Sequence, residues 1–193
     1  MRTRLSTRRR RAQLLAIGAE LFARRPYEQV WIEEVAAIAQ ISCGLLYHYF
    51  PSKRAFFLAI VEEESAKLLH ASSPDPALAP LDQLRAGLEV YIDYAEHHPD
   101  GFRVAQHSAT TDHDLHRLHQ ARITAQRDRI LAGLALMTSV GDEAKIAVTG
   151  WLAFVQTVIL DWLDDPAISR EQLRDLCART LWAAVGLPAD GAM

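Results

Sequence analysis

The sequence contains little cysteine and no uninterrupted apolar run of membrane-spanning length. Its two cysteines, Cys43 and Cys177, are far apart and lack the spacing of metal ligands. They imply no disulfide framework, and a reducing cytoplasm is the expected compartment. The most apolar segment, residues 146–163, is interrupted by four polar side chains: Thr149, Gln156, Thr157 and Asp161. A transmembrane helix of about 20 apolar residues is therefore not expected.

The sequence also lacks the strict alternation of apolar and polar residues that is typical of β-strands. Apolar residues instead recur at spacings of three and four along almost the whole chain, which predicts an all-α fold of about nine helices. The clearest break is the serine- and proline-rich stretch 72–80, and further turns are predicted at 97–101 and 141–142. Half of the residues are hydrophobic, which is enough for a substantial core.

Positive charge is concentrated in the first part of the chain. Residues 1–54 hold ten basic and four acidic side chains, a net charge of +6, although the whole chain has a formal net charge of -3. Residues 55–193 therefore carry a net charge of -9. A basic end on an acidic body favours the approach of that end to a polyanion such as a nucleic acid.

Residues 32–53, IEEVAAIAQISCGLLYHYFPSK, predict two short helices joined by a tight turn. Ser42 is a plausible N-cap of the second helix, and Gly44 leaves room for a duplex to approach its first turn. Free N–H groups at that helix start would favour a phosphate. Tyr47 and His48 follow one turn later, where their polar groups can reach a phosphate or a base edge. The pattern is that of a helix-turn-helix whose second helix lies in a DNA groove.

Residues 11–60 resemble the DNA-binding domain of the tetracycline-repressor (TetR) family of transcriptional regulators. The residues that carry the resemblance are Leu21, Phe22, Tyr27, Val35, Ala36, Ala39, Ile41, Ser42, Gly44, Leu46, Tyr47, His48, Tyr49, Phe50, Ser52, Lys53 and Phe57. The resemblance implies a DNA-binding domain with an N-terminal arm over residues 1–54 and a ligand-binding and dimerisation domain over 55–193. Helix four, about residues 52–70, would connect the two.

The same resemblance implies a function. We expect a ligand-responsive transcriptional regulator, a repressor, that binds a palindromic operator of double-stranded DNA as a homodimer. A small, largely apolar effector would bind the ligand-binding domain and stabilise a conformation in which the two DNA-binding domains of the dimer no longer fit the operator. The protein would then leave the DNA. No enzymatic activity, cofactor or membrane association is expected.

The candidate DNA-binding residues fall into three groups. Four arginines, Arg8, Arg9, Arg10 and Arg11, predict a flexible arm for the minor groove or flanking phosphates, with a solvated tail as the alternative. Position by position, the resemblance adds Ser42, Cys43, Gly44 and Leu45 at the start of the recognition helix. It also adds Tyr47, His48 and Lys53 at phosphate and some base contacts.

This chain departs from the family pattern at several of these positions. Pro26 replaces a glycine. Trp31 takes the place of the usual threonine or serine N-cap of helix two. The missing cap should lower the stability of that helix by about 1 kcal/mol, unless Trp31 packs against the rest of the chain. Cys43 and Leu45 offer fewer hydrogen-bonding groups for base readout than the usual residues. Phosphate contacts and the arginines should therefore contribute much of the affinity, with a steep dependence on salt.

In the body, candidate ligand-binding residues are aromatic and polar side chains on helices five to eight. They are Tyr91, Tyr94, Phe102, Gln106, His119, Trp151 and Phe154. The alternative for each aromatic is that it fills the core. Candidate dimer-interface residues lie on the last two helices, which pair across a two-fold axis in the family: Trp162, Leu163, Leu176, Leu181 and Trp182. An intrachain core is the alternative there.

Four other hypotheses are weighed on the sequence. His113, His116 and His119 recur at intervals of three, with acidic residues and His107 near by, and two of them could chelate zinc or nickel. An enzyme of the helical-bundle metalloprotein class would use the same cluster, but it lacks a carboxylate–histidine set at bundle spacing. Cys43 could act as a redox switch. A protein that binds DNA without sequence preference would not need an aromatic-rich body.

Overall fold

The structure, a computed structural model, describes residues 6–108 and 112–187, without the side chains of 104–108. Over those residues it is all-α, as predicted, with nine α-helices. They are α1 (Thr7–Arg24), α2 (Ile32–Ile38), α3 (Cys43–Tyr49), α4 (Lys53–Ala71), α5 (Pro80–His97), α6 (Pro99–Ser108), α7 (His113–Leu134), α8 (Asp142–Asp164) and α9 (Arg170–Ala184). A single 3-10 turn, Tyr27–Gln29, follows α1.

The chain divides into two compact units. The first comprises Met1–Lys67 and His98–Leu118, and the second comprises Leu68–His97 and His119–Met193. The first unit is therefore larger than the domain predicted over residues 1–54, because it takes in most of α4, all of α6 and the start of α7. We call the first unit the head and the second the body.

The core of the head combines one stripe of α1 and the first half of α4 with buried residues of α2 and α3. Leu14, Gly18 and Phe22 are buried on α1, and they face the buried Phe56 and Ile60 of α4. A Cβ placed on Gly18 would lie 2.5 Å from Cζ of Phe56, so the two helices approach closely only because this residue has no side chain. The ring of Phe22 also lies 4.9 Å, centroid to centroid, from that of Phe57.

The core of the body is built by α5, α8 and α9. The indole Nε1 of Trp151 donates a hydrogen bond of 2.8 Å to the carbonyl oxygen of Cys177, which fixes α8 against α9. Arg170, in the first turn of α9, pairs with the carboxylates of Glu89 and Glu96 at 2.8 Å and so ties α9 to α5. Other buried side chains of these helices are Leu88, Ile92, Val148, Val155, Ile159, Leu173, Leu181 and Trp182.

One described helix, α8, is long and apolar enough by length and composition to cross a membrane, with a mean hydropathy of 1.6 over its most apolar window. Its buried residues, which include Val148, Trp151 and Ile159, contribute to the core of the body. Core helices share this length and composition, so α8 alone is weak support for a membrane span.

Candidate nucleic-acid interface and body cavity

The turn between α2 and α3 is closed by backbone hydrogen bonds. The N–H of Gln40 donates to the carbonyl of Ala37 at 3.1 Å, and the N–H of Ile41 donates to the carbonyl of Ala36 at 3.0 Å. These two bonds form a Schellman motif, which requires a left-handed residue at the position of Gln40. Gln40 has a φ of 55°, a conformation that ordinarily favours glycine or asparagine. The motif ends α2 abruptly and sets the direction in which α3 leaves.

The start of α3 is capped as the sequence predicted, because the Oγ of Ser42 accepts a hydrogen bond of 3.2 Å from the N–H of Leu45. Leu46 is fully buried and anchors α3 to the core of the head. The opposite face is exposed, and around Gly44 the space is open, since a Cβ there would meet only the Oγ of Ser42, at 4.0 Å. The exposed predicted residues of α3 are Leu45, Tyr47 and His48, and Cys43 is half-buried.

Lys53, at the start of α4, is held between two aromatic rings. Its Nζ lies 4.4 Å from the ring centroid of Tyr27 and 5.9 Å from that of Trp31, and it donates to the carbonyl of Glu28 at 3.4 Å. Cation–π attraction and this hydrogen bond fix the direction of the ammonium group. Lys53 is therefore held in one orientation at the start of α4 by residues of the connection between α1 and α2.

Trp31 is the N-cap of α2, and its side chain makes no capping hydrogen bond within the described chain. It is 64% exposed, so it does not offset the missing cap by packing against a core. Glu33 and Glu34 in the first turn of α2 instead place negative charge at the positive end of the helix dipole. Both carboxylate oxygens of Glu34 also accept hydrogen bonds of 2.8 Å from Arg25.

Arg54 is neutralised inside the head. Its guanidinium pairs with both carboxylate oxygens of Asp112, at 2.6 and 2.7 Å, and with Asp114 at 2.9 Å. The guanidinium holds the pKa of the Asp112 carboxyl well below its ordinary value, and the pKa of Asp114 is also lowered. Among the predicted DNA-binding residues, the positive charge lies with the arginines at the start of α1 and with Lys53.

The prediction of a flexible arginine arm was wrong for residues 8–11. Helix α1 begins at Thr7, because the Oγ of Ser6 caps it by accepting a hydrogen bond from the N–H of Arg9. Arg10 donates to the carbonyl of Ala39 at 3.4 Å, at the end of α2, and Arg11 lies 5.3 Å from the ring centroid of Phe50. Arg10 and Arg11 thus contact the helix-turn-helix, although only Arg10 is half-buried and Arg11 is exposed like Arg8 and Arg9.

This division predicts different results for two double variants. Arg8→Ala/Arg9→Ala should leave the melting temperature unchanged. It should reduce the salt dependence of operator binding: the slope of log binding constant against log salt concentration should become shallower by about one for each phosphate that is no longer neutralised. Arg10→Ala/Arg11→Ala should also lower the melting temperature, because alanine can neither bond to the carbonyl of Ala39 nor cover the ring of Phe50. Fluorescence anisotropy over a salt series and thermal denaturation measure the two effects. Arg127→Ala, a change at a half-buried arginine of the body, is the control. Equal salt slopes for all variants would contradict the prediction.

The two thiols should differ in reactivity. Burial raises the pKa of the Cys177 thiol to about 11, because its thiolate would be desolvated, whereas Cys43 is half-buried beside the exposed face of α3. Ellman's reagent at pH 8 should therefore titrate one thiol in the folded protein and two after denaturation. Saturating operator should slow the reaction of Cys43, and Cys43→Ala should leave no rapidly reacting thiol. Two fast thiols in the folded protein would contradict the assignment.

The body contains a cavity of about 180 Å³. One side is a face of α5 and another is a face of α7, whose lining residues recur at spacings of three and four. Trp151, Leu152, Val155 and Gln156 of α8 and the buried pair Leu181 and Trp182 of α9 complete the wall. The remaining lining residues are Ser72, Pro74, Pro80, Gln83, Leu84, Gly87, Leu88, Tyr91, Arg122, Gln126, Arg129, Ile130, Gly133, Leu134, Leu136 and Met137.

Two of the candidate ligand-binding residues, Tyr91 and Trp151, lie in the wall of this cavity. Tyr94, His119 and Phe154 belong to the body but are not among the lining residues, and Phe102 is buried in the head. The side chain of Gln106 lies outside the described residues. Sequence reasoning missed Arg122, Gln126 and Arg129, whose spacing of four and three is visible in the sequence and places them on one face of α7.

The candidate dimer residues are placed differently from one another. Leu181 and Trp182 are buried within the chain and line the cavity. Leu176 is 37% exposed on α9, Trp162 and Leu163 are partly exposed, and the indole of Trp162 donates to the carbonyl of Ile168 at 2.7 Å. Of the five, Trp162, Leu163 and Leu176 thus have surface to offer a second chain.

The histidines of α7 form no metal site in the described structure. Among the described residues no group of three or more His, Cys, Asp or Glu side chains is placed to hold a metal ion. Asp112 and Asp114, which accompany these histidines in the sequence, are instead paired with Arg54.

Family models match both parts of the chain. The model described as bacterial regulatory proteins, tetR family, matches residues 14–60, which contain α2 and α3. The model described as tetracyclin repressor-like, C-terminal domain, matches residues 80–184, which cover most of the body and more than half of the chain.

Among curated proteins, the HTH-type transcriptional activator FasR of Mycolicibacterium smegmatis is 33% identical over 105 residues, which are 52% of this chain and 47% of FasR. The transcriptional regulator AcuR of Cereibacter sphaeroides is 36% identical over 75 residues, 37% of this chain and 34% of AcuR. The chain thus spans about half or less of the length of these relatives.

Solved structures share the fold over almost the whole chain. A tetR-family transcriptional regulator from Streptomyces coelicolor superposes with a TM-score of 0.83 at 26% identity, covering 93% of this chain and 82% of that one. FadR from Bacillus subtilis, solved in complex with stearoyl-CoA, superposes with a TM-score of 0.68 over 91% of this chain and 97% of that one. Its identity is 14%, so this likeness shows the fold alone.

Proposed function

Because the chain belongs to the tetR family of bacterial transcriptional regulators, we propose that it is a ligand-responsive repressor that binds DNA through its helix-turn-helix. It would bind a palindromic operator as a homodimer in the cytoplasm, and a small effector in the body cavity would release it. The observation that carries the proposal is that the exposed DNA-binding face and the cavity occur in the same chain, in different units.

The exposed face of α3 supports binding in the major groove. Leu46 anchors the helix from behind, Gly44 keeps its first turn open, and Tyr47 and His48 project one turn further along. Lys53, at the start of α4, adds a cation that the ring of Tyr27 holds in place. A single α3 contacts only a few base pairs, so two copies are needed for a specific site, and a homodimer supplies them with two-fold symmetry.

The residues of the proposed dimer interface lie on α8 and α9. Leu176 is exposed, and Trp162 and Leu163 keep part of their apolar surface open to solvent. Apolar side chains left open on adjacent long helices are typical of surfaces that pair with a second copy. Leu176→Glu would place a charge at that interface, and sedimentation analysis should then show a larger fraction of monomer.

The sequence preference of the protein tests the DNA-binding part of the proposal. Selection from a pool of random duplexes should enrich a palindrome with half-sites separated by about one helical turn or more. Its affinity should exceed that for random DNA by roughly 10³-fold or more at physiological salt. Enrichment of a single half-site, or equal affinity for selected and random duplexes, would rule out a dimeric operator-binding regulator.

Activation is the second candidate role, because FasR, the relative matched over 105 residues, is named a transcriptional activator. Transcription in vitro from a promoter that carries the selected site separates the two. A repressor should lower transcript yield as protein is added, whereas an activator should raise it.

A further inference from the structure

One face of α7 gives the body cavity an unusual charge. Arg122, Gln126 and Arg129 follow one another at spacings of four and three, and all three line the cavity. None of the lining residues is an Asp or a Glu, so the described wall holds two cations and no anion. Elsewhere in the body, arginines pair with carboxylates, as Arg170 does with Glu89 and Glu96. The wall of the cavity is therefore positively charged within an acidic chain.

Arg129 is held by neutral acceptors. Its guanidinium donates to the carbonyl of Leu69, to the Oγ of Ser72 at 2.8 Å and to the Oε1 of Gln126 at 2.9 Å. Burial lowers the pKa of Arg129 below its ordinary value, as expected for a cation that loses water without gaining a counter-charge. An arginine nonetheless stays protonated, so its positive charge persists in the cavity wall.

Arg122 keeps hydrogen-bond donors for a ligand. In the described structure its guanidinium donates one hydrogen bond, of 3.3 Å, to the Oη of Tyr91, and it lies 5.9 Å from the centroid of the same ring. A guanidinium has five N–H donors in a fork that suits carboxylates and phosphates. Arg122 therefore offers directional donors, while Arg129 adds a fixed positive charge further along α7.

We propose that the effector of the body cavity is an organic anion: an apolar molecule with one terminal carboxylate or phosphate, which binds Arg122 directly and is attracted by Arg129. The rest of the molecule packs on the apolar wall formed by α5, α8 and α9, which includes Leu88, Trp151 and Val155. This inference rests on the proposed ligand-responsive function and adds the charge of the ligand to it.

The size of the cavity limits the apolar part. At about 180 Å³ it is somewhat larger than an engineered apolar cavity of roughly 150 Å³ that binds benzene. A chain of about eight carbons or a single substituted aromatic ring is a suitable occupant. The burial of such a tail would supply affinity, and the charge of the head would supply selectivity.

Four probes with the same tail and different heads test the proposal. Octanoate and octyl phosphate are anions at pH 7, octanamide is neutral, and octylammonium is a cation. Isothermal titration with the full chain should give affinities about tenfold or more higher for the anions than for octanamide, since one charge-assisted hydrogen bond is worth roughly this factor. Octylammonium should bind more weakly than octanamide. The ratio between octanoate and octyl phosphate identifies the preferred head.

Substitutions locate the effect. Arg122→Gln should lower the affinity for the preferred anion about tenfold and leave octanamide unchanged, whereas Arg122→Lys should retain part of the preference. Arg127→Gln, on the same helix but outside the cavity wall, is the matched control. Arg129→Lys keeps the positive charge of the second cation and should therefore keep the preference for the anion. A neutral residue is avoided there because it would destabilise the body.

Three results would overturn the proposal: equal affinity for all heads, a preference for octylammonium, or no binding by any probe at millimolar concentration. Operator binding is measured in the absence of any probe. If the proposed regulatory function is right, the protein should therefore still bind its operator even when one of these three results is obtained. Failure to select a palindromic site would instead reject that function and leave the charge preference of the cavity as measured.

Discussion

Replacing Gly18 by alanine is expected to lower the free energy of unfolding of the head by about 1–3 kcal/mol, the usual cost of overpacking a core. A Cβ at this position would lie 2.5 and 2.8 Å from ring atoms of Phe56 and closer still to the Cδ1 of Ile60. Phe56 is fully buried and Ile60 nearly so, so neither can turn outward to make room. Alanine has the higher helix propensity, by about 1 kcal/mol, and this gain offsets only part of the cost.

Urea denaturation followed by circular dichroism measures the change. Gly101→Ala is the matched control, since it lies in α6 of the same unit and a Cβ there meets nothing within 4 Å. Ile60→Val removes the Cδ1 atom that the new methyl group would strike, so the double variant Gly18→Ala/Ile60→Val should be more stable than the sum of its single changes predicts. A Gly18→Ala variant as stable as Gly101→Ala would contradict the close approach of α1 and α4.

The elements that sequence reasoning predicted well are those with local causes. The predicted N-cap at Ser42 depends on one side chain and a backbone N–H three residues later, and this hydrogen bond is present. The buried stripe of α1 depends on spacing within one helix, and Leu14, Gly18 and Phe22 are buried as that spacing predicts. Composition and periodicity also predicted the all-α class, because no competing strand pattern exists.

Two features that sequence reasoning missed differ in the signal they left. The start of α1 was predicted as a flexible DNA-binding arm because of its run of four arginines, with a solvated tail as the alternative. Ser6, three residues before Arg9, is an ordinary N-cap that could have indicated the helix. The left-handed turn at Gln40 had no such signal, since glycine or asparagine is the usual residue there, and its conformation is imposed by the hydrogen bonds that close α2.

The set of residues that line the cavity could not be predicted from the sequence alone. Trp151 and Tyr91 were candidates as aromatics, but so was Phe102, which belongs to the head. The lining face of α7 could not be chosen in advance, because the helix carries apolar and charged residues on several faces. The face with Arg122 and Arg129 lines the cavity together with residues of α5 and α8. That arrangement depends on residues far apart in the chain.

Substitution of Gly44 should change the stability of the head and its affinity for DNA in opposite directions. In the free protein the position is open, since a Cβ would meet only the Oγ of Ser42, at 4.0 Å. Helix propensity favours every residue except proline over glycine there, by up to about 1 kcal/mol. An acidic side chain in the first turn of α3 would also interact favourably with the helix dipole. Gly44→Glu should therefore leave the melting temperature unchanged or raise it.

On DNA the same change should be severe, because the first turn of the recognition helix faces the duplex. A carboxylate there would oppose the phosphates and occupy the space that the glycine leaves open, once in each head of a dimer. We expect operator affinity to fall by about 100-fold or more, with a smaller decrease for Gly44→Ala, which adds bulk without charge. Anisotropy titration with the selected palindrome measures the affinity, and thermal denaturation measures stability on the same samples. A Gly44→Glu protein that binds its operator like the wild type would show that α3 does not enter the groove by its first turn.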